Sequence, residues 1–308
     1  MDQPSRLDRF LLGGGAVAGV LAVSLAIYID AALHGGKVIA PPGVAFTAAV
    51  LGVVSSTLFV FAGDSVWRWM PLLLGGVAVV CLIAGSYLGL FVAPPEHFMG
   101  EVQRIMYVHV PTAWSSLLAL TFSFAFAVLF LFSAAWKWDA RMEASMEVGI
   151  VLAFLLCCQG AIWAKPTWGV WWDWDPRLTT TAILLLAFLG ILALRRFVDD
   201  PVRRATWSAV ATIIAYVDVP IVYFSVRWWN SLHQMQSNPA TVSPQFYLPL
   251  RLNAFGVLFL MTSFIMLRAR LASLRLASEL APPPESNGGQ PPSDVRRSRP
   301  LSSTGVPA

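Results

Sequence analysis

Residues 163–179 read WAKPTWGVWWDWDPRLT: five tryptophans, two aspartates, one lysine and one arginine in seventeen positions. Histidine is scarce in the same chain, which has four. His109 lies in RIMYVHVPTAW beside Arg104, and His233 lies in SVRWWNSLHQ beside Arg227. Imidazole nitrogen is a good axial ligand for haem iron. The porphyrin is a flat apolar disc, and indole rings cover such a face well. Its two propionates suit the forked donors of arginine. Two histidines, nearby arginines and a group of indoles thus fit each part of a haem.

Spacing adds local expectations. If the tryptophan stretch is helical, Trp168, Trp171, Trp172 and Asp175 fall at i, i+3, i+4 and i+7 and share one face. Asp173 and Arg177 are then placed to pair on another side. Asp175 followed by Pro176 also reads as a helix start, with the aspartate as N-cap and the proline in the first helical position. Trp229 and His233 are four apart and share a face if that segment is helical. Val110 precedes Pro111, which biases the chain away from helix there and sets His109 at the mouth of the helix that follows.

Long apolar runs must position these residues. Of 308 residues, 57% are hydrophobic and 12% charged. A soluble domain of this length does not leave that much apolar surface to water. A helix needs about 20 apolar residues to cross a bilayer. Eight runs approach that length, near residues 10–33, 43–62, 71–93, 113–135, 147–164, 178–194, 205–226 and 249–267. They are continuous rather than alternating, which selects helices over a barrel. The expected fold is an all-α, polytopic integral membrane protein. The run after Arg6 and Arg9 is too long for a signal-peptide core of about 7–15 residues, so it reads as a retained helix. The second run is diluted by Pro41, Pro42 and several hydroxyl residues.

Short-loop cations set the expected orientation. One alternate set of segments holds Arg6, Arg9, Arg68, Lys137, Arg141, Arg195, Arg196, Arg203, Arg204, Arg268, Arg270 and Arg275. The other holds Lys37, Arg104, Lys165, Arg177, Arg227 and Arg251. The richer set is expected in the cytoplasm. That places the protein in the cytoplasmic (inner) membrane with both termini inside and loops 94–112, 165–177 and 227–248 outside, on the periplasmic side. The expected organisation is an N-terminal helix pair over 1–70, a six-helix core over 71–268 and a cytoplasmic tail over 269–308. From Ala281 the tail is rich in Pro, Ser, Gly and Arg and is expected to be disordered. The net charge of +4 comes mainly from these loops and the tail, and implies no nucleic-acid partner.

Other features are weighed against plainer roles. An outer-loop histidine is by default solvated, and His34 and His97 keep that reading. An aromatic belt at the membrane surface accounts for Trp67, Trp69, Trp136 and Trp138. It accounts poorly for residues 168–174, where charges stand among the rings. Arg227 fits a propionate or a lipid headgroup equally well. Asp218 lies inside an apolar run, where an acid is a functional candidate, or pairs near a helix end. Cys81, Cys157 and Cys158 lie within runs and form no C-x-x-C-H, so no covalently attached c-type haem is expected. No phosphate-binding G-x-x-x-x-G-K-[ST] occurs, and no hydrolytic triad or carboxylate pair is evident. The chain is therefore not expected to be an enzyme.

KPTWGVWWDWDPRLT closely resembles the tryptophan-rich signature of the haem-handling membrane proteins. RIMYVHVPTAW and SVRWWNSLHQ resemble the flanking histidine segments of one branch, cytochrome c maturation protein C, the haem exporter protein C family. The resemblance covers about residues 71–268, and three motifs in order make it specific. It implies non-covalent haem b held at the outer face of the membrane and passed to a membrane-anchored haem chaperone for c-type cytochrome biogenesis. It implies a complex with ATP-binding-cassette transporter subunits and a small single-span subunit, where any ATP hydrolysis resides. The axial ligands it implies are His109 and His233. The basic residues it implies are Arg104 and Arg177, and the aromatic platform is Trp168, Trp171 and Trp172, closed by Asp175.

Asp173 and Pro176 depart from the signature, which is less acidic and usually lacks the proline. The system II haem exporter and cytochrome c synthetase branch shares the tryptophan signature, and an Asp-Pro pair, but lacks the WWNSLHQ-like segment. An electron-transfer haem b protein would need ligands spaced through the bilayer. A small-molecule transporter would need polar or broken helices near the midplane, and the runs beyond Asp218 offer little of either.

Overall fold

The computed structural model describes residues 5–34, 42–62, 69–233 and 243–281. Lys37, Arg68 and the tail beyond Ala281 lie outside them, as does the side chain of His34. The helices are α1 (Arg6–His34), α2 (Pro42–Phe61), α3 (Met70–Tyr87), α4 (Met106–Ser133), α5 (Trp136–Trp168), α6 (Pro176–Phe197), α7 (Pro201–Tyr216), α8 (Asp218–Trp228) and α9 (Pro244–Leu280). Among the described residues there is no β-strand, only an isolated bridge between Glu96 and Gly100. The all-helical membrane architecture expected from the apolar runs is the one observed. Seven segments are long and apolar enough to cross a bilayer, α7 and α8 counting as one, and α2 supplies a shorter apolar stretch over Phe46–Phe61.

Lipid is the solvent for much of this surface. Ile83, Leu186 and Ile214 are each more than half exposed on their helices. Inside the bundle the chain buries Phe126, Met142, Phe255, Phe259, Met261 and Ile265 in one cluster. α9 lies at the centre of the bundle, packed against α3, α4 and α5 and also against α1 and α2. Hydroxyls bridge the helices where no water is available to them. Ser263 Oγ donates to the Pro71 carbonyl at 2.6 Å, Ser55 Oγ donates to the Gly15 carbonyl at 2.7 Å, and Ser56 and Thr262 share a 2.6 Å bond.

Three helices run further than their apolar runs, and paired charges explain two of them. α5 starts at Trp136 rather than near 147, because Asp139, Glu143 and Glu147, spaced four apart on one face, all find arginines. Arg195 of α6 donates to both Asp139 oxygens at 2.8 and 3.0 Å and to Glu143 at 2.8 Å. α9 continues to Leu280, so residues 269–280 are helix and the tail begins later than 269. Its extension is held by Arg268 to Glu147, Arg275 to Glu143 and Glu279 to Arg204. Several cations assigned to loops are thus partners in an ion network at one end of the bundle, buried at Arg195 and Asp139 and half-exposed at Arg268 and Arg275.

The third extension concerns His109. α4 begins at Met106, so Pro111 lies inside the helix and His109 lies within its first turns, not before it. A 3₁₀ turn over Glu101–Ile105 leads in. Pro111 removes the bond that its amide would have made one turn back. The Thr112 hydroxyl returns to the Val108 carbonyl at 2.7 Å, and the buried Pro111 is packed rather than expelled.

Candidate functional site

The tryptophan stretch is not one helix. α5 ends at Trp168, and Gly169 follows with φ +81°, a left-handed C-cap whose N–H bonds the Lys165 carbonyl at 3.0 Å. Residues 170–175 are non-helical until Pro176 opens α6. Trp168, Trp171, Trp172 and Asp175 therefore do not share a helical face. Asp173 forms no ion pair with Arg177 among the described residues, and Trp229 and His233 share no helix because α8 ends at Trp228. The start signal at 175–176 is as expected. Asp175 Oδ1 accepts the N–H groups of Arg177 at 2.9 Å and Leu178 at 3.4 Å, with Pro176 in the first helical position.

Breaking that helix lets distant segments meet. His109 of α4, Trp168 at the end of α5, Arg177 of α6, Tyr223 of α8 and His233 line one cavity of about 240 Å³. Its wall on α5 runs from Trp168 down to Ala153, roughly 20 Å at 1.5 Å per residue. Small and apolar residues dominate the deeper part. Cys157 lies on this wall, whereas Cys81 and Cys158 do not.

Each histidine is held by an indole. The His109 ring meets Trp163 edge-on, with centroids 5.3 Å apart at 83°. His233 meets Trp168 edge-on at 5.1 Å and 71°. Among the described residues, Nδ1 of both histidines is buried without a hydrogen-bond partner, as are Nε of Arg177 and Nε1 of Trp163. Arg177 is steered toward the cavity from α6, and its Nη2 donates to the Tyr223 carbonyl at 3.2 Å. Buried polar atoms are normally paired, so the orphans of His109, Arg177 and Trp163 around one cavity mark a place for a polar, ligating guest. The imidazoles, guanidinium and apolar depth fit haem.

Asp175 stands behind His233 rather than in the cavity. Its Oδ2 accepts the Leu232 N–H at 2.8 Å, and Oδ1 lies 3.6 Å from His233 Nδ1. Burial would raise the Asp175 carboxyl, but the Ser231 hydroxyl and the N–H groups of Leu232 and Arg177 outweigh it and hold it below its ordinary value. Burial, helped by the Arg177 charge and opposed by Asp175, pushes His233 down to about 4. Burial and the Arg177 charge thus favour the neutral form of the His233 imidazole.

The other expected residues lie elsewhere. Arg104 is engaged by Glu101 and by the carbonyls of Gly89 and Ala93, where a π-turn ends the third span, and it does not line the cavity. Trp171 is 58% exposed and Trp174 75%, while Trp172 sits edge-on to Trp174 at 5.9 Å. Trp171 and Trp174 form an exposed aromatic surface with Trp172 half-buried against it, and none of the three lines the cavity. Arg227 lies over the Phe224 ring at 5.9 Å. Asp218 opens α8, directly after Val217 interrupts the span, and its Oδ2 is buried without a partner among the described residues. His97 is exposed in the loop after the third span.

Trp163 and Trp114 line the cavity and carry no role in the sequence reading. A signal for Trp163 exists. Gly160, Trp163, Ala164, Thr167 and Trp168 recur at three- and four-residue steps, one face of α5.

The fold and site define a polytopic helical membrane protein with a paired-histidine, indole-walled cavity near one end of its bundle. Sequence comparison then gives the family. The family model for heme exporter protein C (CcmC) matches residues 52–280, and the chain belongs to that family. It is 32% identical to heme exporter protein C of Bradyrhizobium diazoefficiens over 238 residues, which is 74% of this chain and 88% of the relative. Against the Escherichia coli K12 protein of the same name the identity is 33% over 207 residues, 66% of this chain and 83% of the relative. For the Haemophilus influenzae protein it is 38% over 210 residues, with 65% and 82% covered. The family match begins within α2, so α1 lies outside it.

Proposed function

We propose that the chain holds haem b non-covalently between His109 and His233 and presents it to a membrane-anchored haem chaperone during c-type cytochrome biogenesis. The observation that carries this reading is the convergence of both histidines, Trp168 and Arg177 on one cavity with unpaired buried nitrogens. His109 and His233 would hold the iron, Arg177 would pair with a propionate, and Trp163 and Trp168 would flank the disc. Two imidazole ligands would leave iron no open position for substrate, which favours a carrier over an enzyme. Release then requires a competing ligand from the receiving protein. The exposed Trp171 and Trp174 beside the cavity supply an aromatic surface on which such a partner docks.

The site faces the periplasm in this reading, with both termini in the cytoplasm, by the distribution of loop cations. ATP-binding-cassette subunits and a small single-span subunit complete the complex, and ATP hydrolysis belongs to them. Arg104 acts here through the backbone it ties down near His109, rather than on a propionate.

The test is an absorption spectrum. Oxidised and reduced spectra of the detergent-purified protein are expected to show six-coordinate b-type haem, lost or altered in both His109→Ala and His233→Ala. Wild-type spectra in either variant would remove that histidine from the ligand set. Haem-free protein despite ample haem supply would refute the carrier reading for the isolated chain.

A further inference from the structure

Asp175 is placed under three demands. Its Oδ1 caps α6 through the Arg177 and Leu178 N–H groups. Its Oδ2 accepts the Leu232 N–H at 2.8 Å, fixing the residue beside His233. Oδ1 also stands 3.6 Å from His233 Nδ1. A helix cap needs only one oxygen, and the second is spent on the histidine segment. The residue is 6% exposed, so the carboxylate is costly to bury unless each oxygen is used.

A neutral imidazole carries its proton on one nitrogen. Beside a carboxylate, a proton on Nδ1 is attracted, while a lone pair on Nδ1 is repelled. The edge-on contact with Trp168 restrains the ring from turning away. At 3.6 Å the pair is longer than a hydrogen bond, a spacing that closes with a small shift of the 231–233 segment.

We propose that Asp175 is a positioning residue for His233: its carboxylate keeps the proton on Nδ1 and thereby turns Nε2 to the haem iron, while the same group ties the histidine segment to the start of α6. This rests on the reading of His233 as an axial ligand. Metal-bound histidines usually donate their second nitrogen to such a partner, which raises ligand basicity and fixes the ring. An anionic partner on the ligand favours ferric iron and lowers the reduction potential.

The experiment uses the full chain in detergent, loaded with haem, as wild type, Asp175→Asn, Asp175→Ser and His233→Ala. Asn and Ser cap a helix about as well as Asp, so α6 keeps its start in both, while the second acceptor for the Leu232 N–H is lost together with the charge. Both remove the charge. The midpoint potential is expected to rise, and haem loss to an apoglobin acceptor is expected to quicken by roughly ten- to a hundred-fold. A wild-type potential and loss rate in Asp175→Asn and Asp175→Ser, with an altered His233→Ala spectrum, would reduce Asp175 to a helix cap. A wild-type spectrum in His233→Ala would overturn the ligand reading and this proposal together.

Discussion

Gly160 of α5 lies directly against the His109 ring: a Cβ at residue 160 would stand 3.2 Å from His109 Cε1. That glycine lets a helix wall approach an imidazole that Trp163 already holds from the edge. The position of His109 is therefore set by two residues one turn apart on α5, not by its own helix alone.

Gly160→Ala is expected to keep or raise thermal stability, since alanine favours a helix by about 1 kcal/mol over glycine. Haem retention should nonetheless fall, and fall further in Gly160→Val, as the ring is pushed from its place. Thermal unfolding and the absorption spectrum, measured on the same samples, separate the two effects. Haem retention unchanged in Gly160→Val would mean that the ring has room to move.

Arg177 is expected to show a charge-specific loss. Arg177→Ala removes the one guanidinium that lines the cavity among the described residues. A hydrogen bond to a charged group contributes about 1.5–3 kcal/mol, so haem should dissociate on the order of ten- to a hundred-fold faster. Arg177→Lys should recover part of this, because lysine keeps the charge but not the fork. Full recovery by lysine would argue against a forked contact.

The tryptophans divide by position. Trp168→Ala removes the edge contact on His233 and should weaken haem retention itself. Trp172→Ala should mainly disturb transfer, as should loss of the exposed Trp171, leaving the spectrum near wild type. Covalent haem on a co-expressed chaperone is the measurement. Normal loading in Trp172→Ala would rule out the platform.

At the other end of the bundle, Arg195→Met leaves Asp139 and Glu143 buried without their main cation. Breaking one side of a buried ion pair costs about 3–5 kcal/mol. A large drop in thermal stability is expected in detergent. An unchanged midpoint would mean that water or a neighbouring arginine takes over.

Much of this molecule is legible in the order of its residues. The apolar runs specify helices because a backbone in lipid must satisfy itself, and no knowledge of neighbours is needed. Asp175-Pro176 announces the start of α6 because capping is a local act. The scarcity of histidine, and its placement among tryptophan and arginine, points to His109 and His233, the two that line one cavity. Interactions across helices are invisible at that level. The reach of α5 back to Trp136 depends on Arg195, which lies on another helix and makes buried acids tolerable. The burial of Pro111 inside α4 depends on what packs around it.

The tertiary structure also decided which aromatic residues meet the histidines. Helical spacing puts Trp168, Trp171, Trp172 and Asp175 on one face, but the left-handed turn at Gly169 ends the helix after Trp168. Only Trp168 then remains on the wall, joined by Trp163 from a turn earlier. Arg104 has the right charge, yet local carbonyls and Glu101 claim it, a competition that residue type alone does not reveal. The chain's chemistry is thus written in residue types and local signals. Which of those residues face one another is settled by the packing of α4, α5, α6 and α8, because side chains far apart in sequence meet only when helices pack.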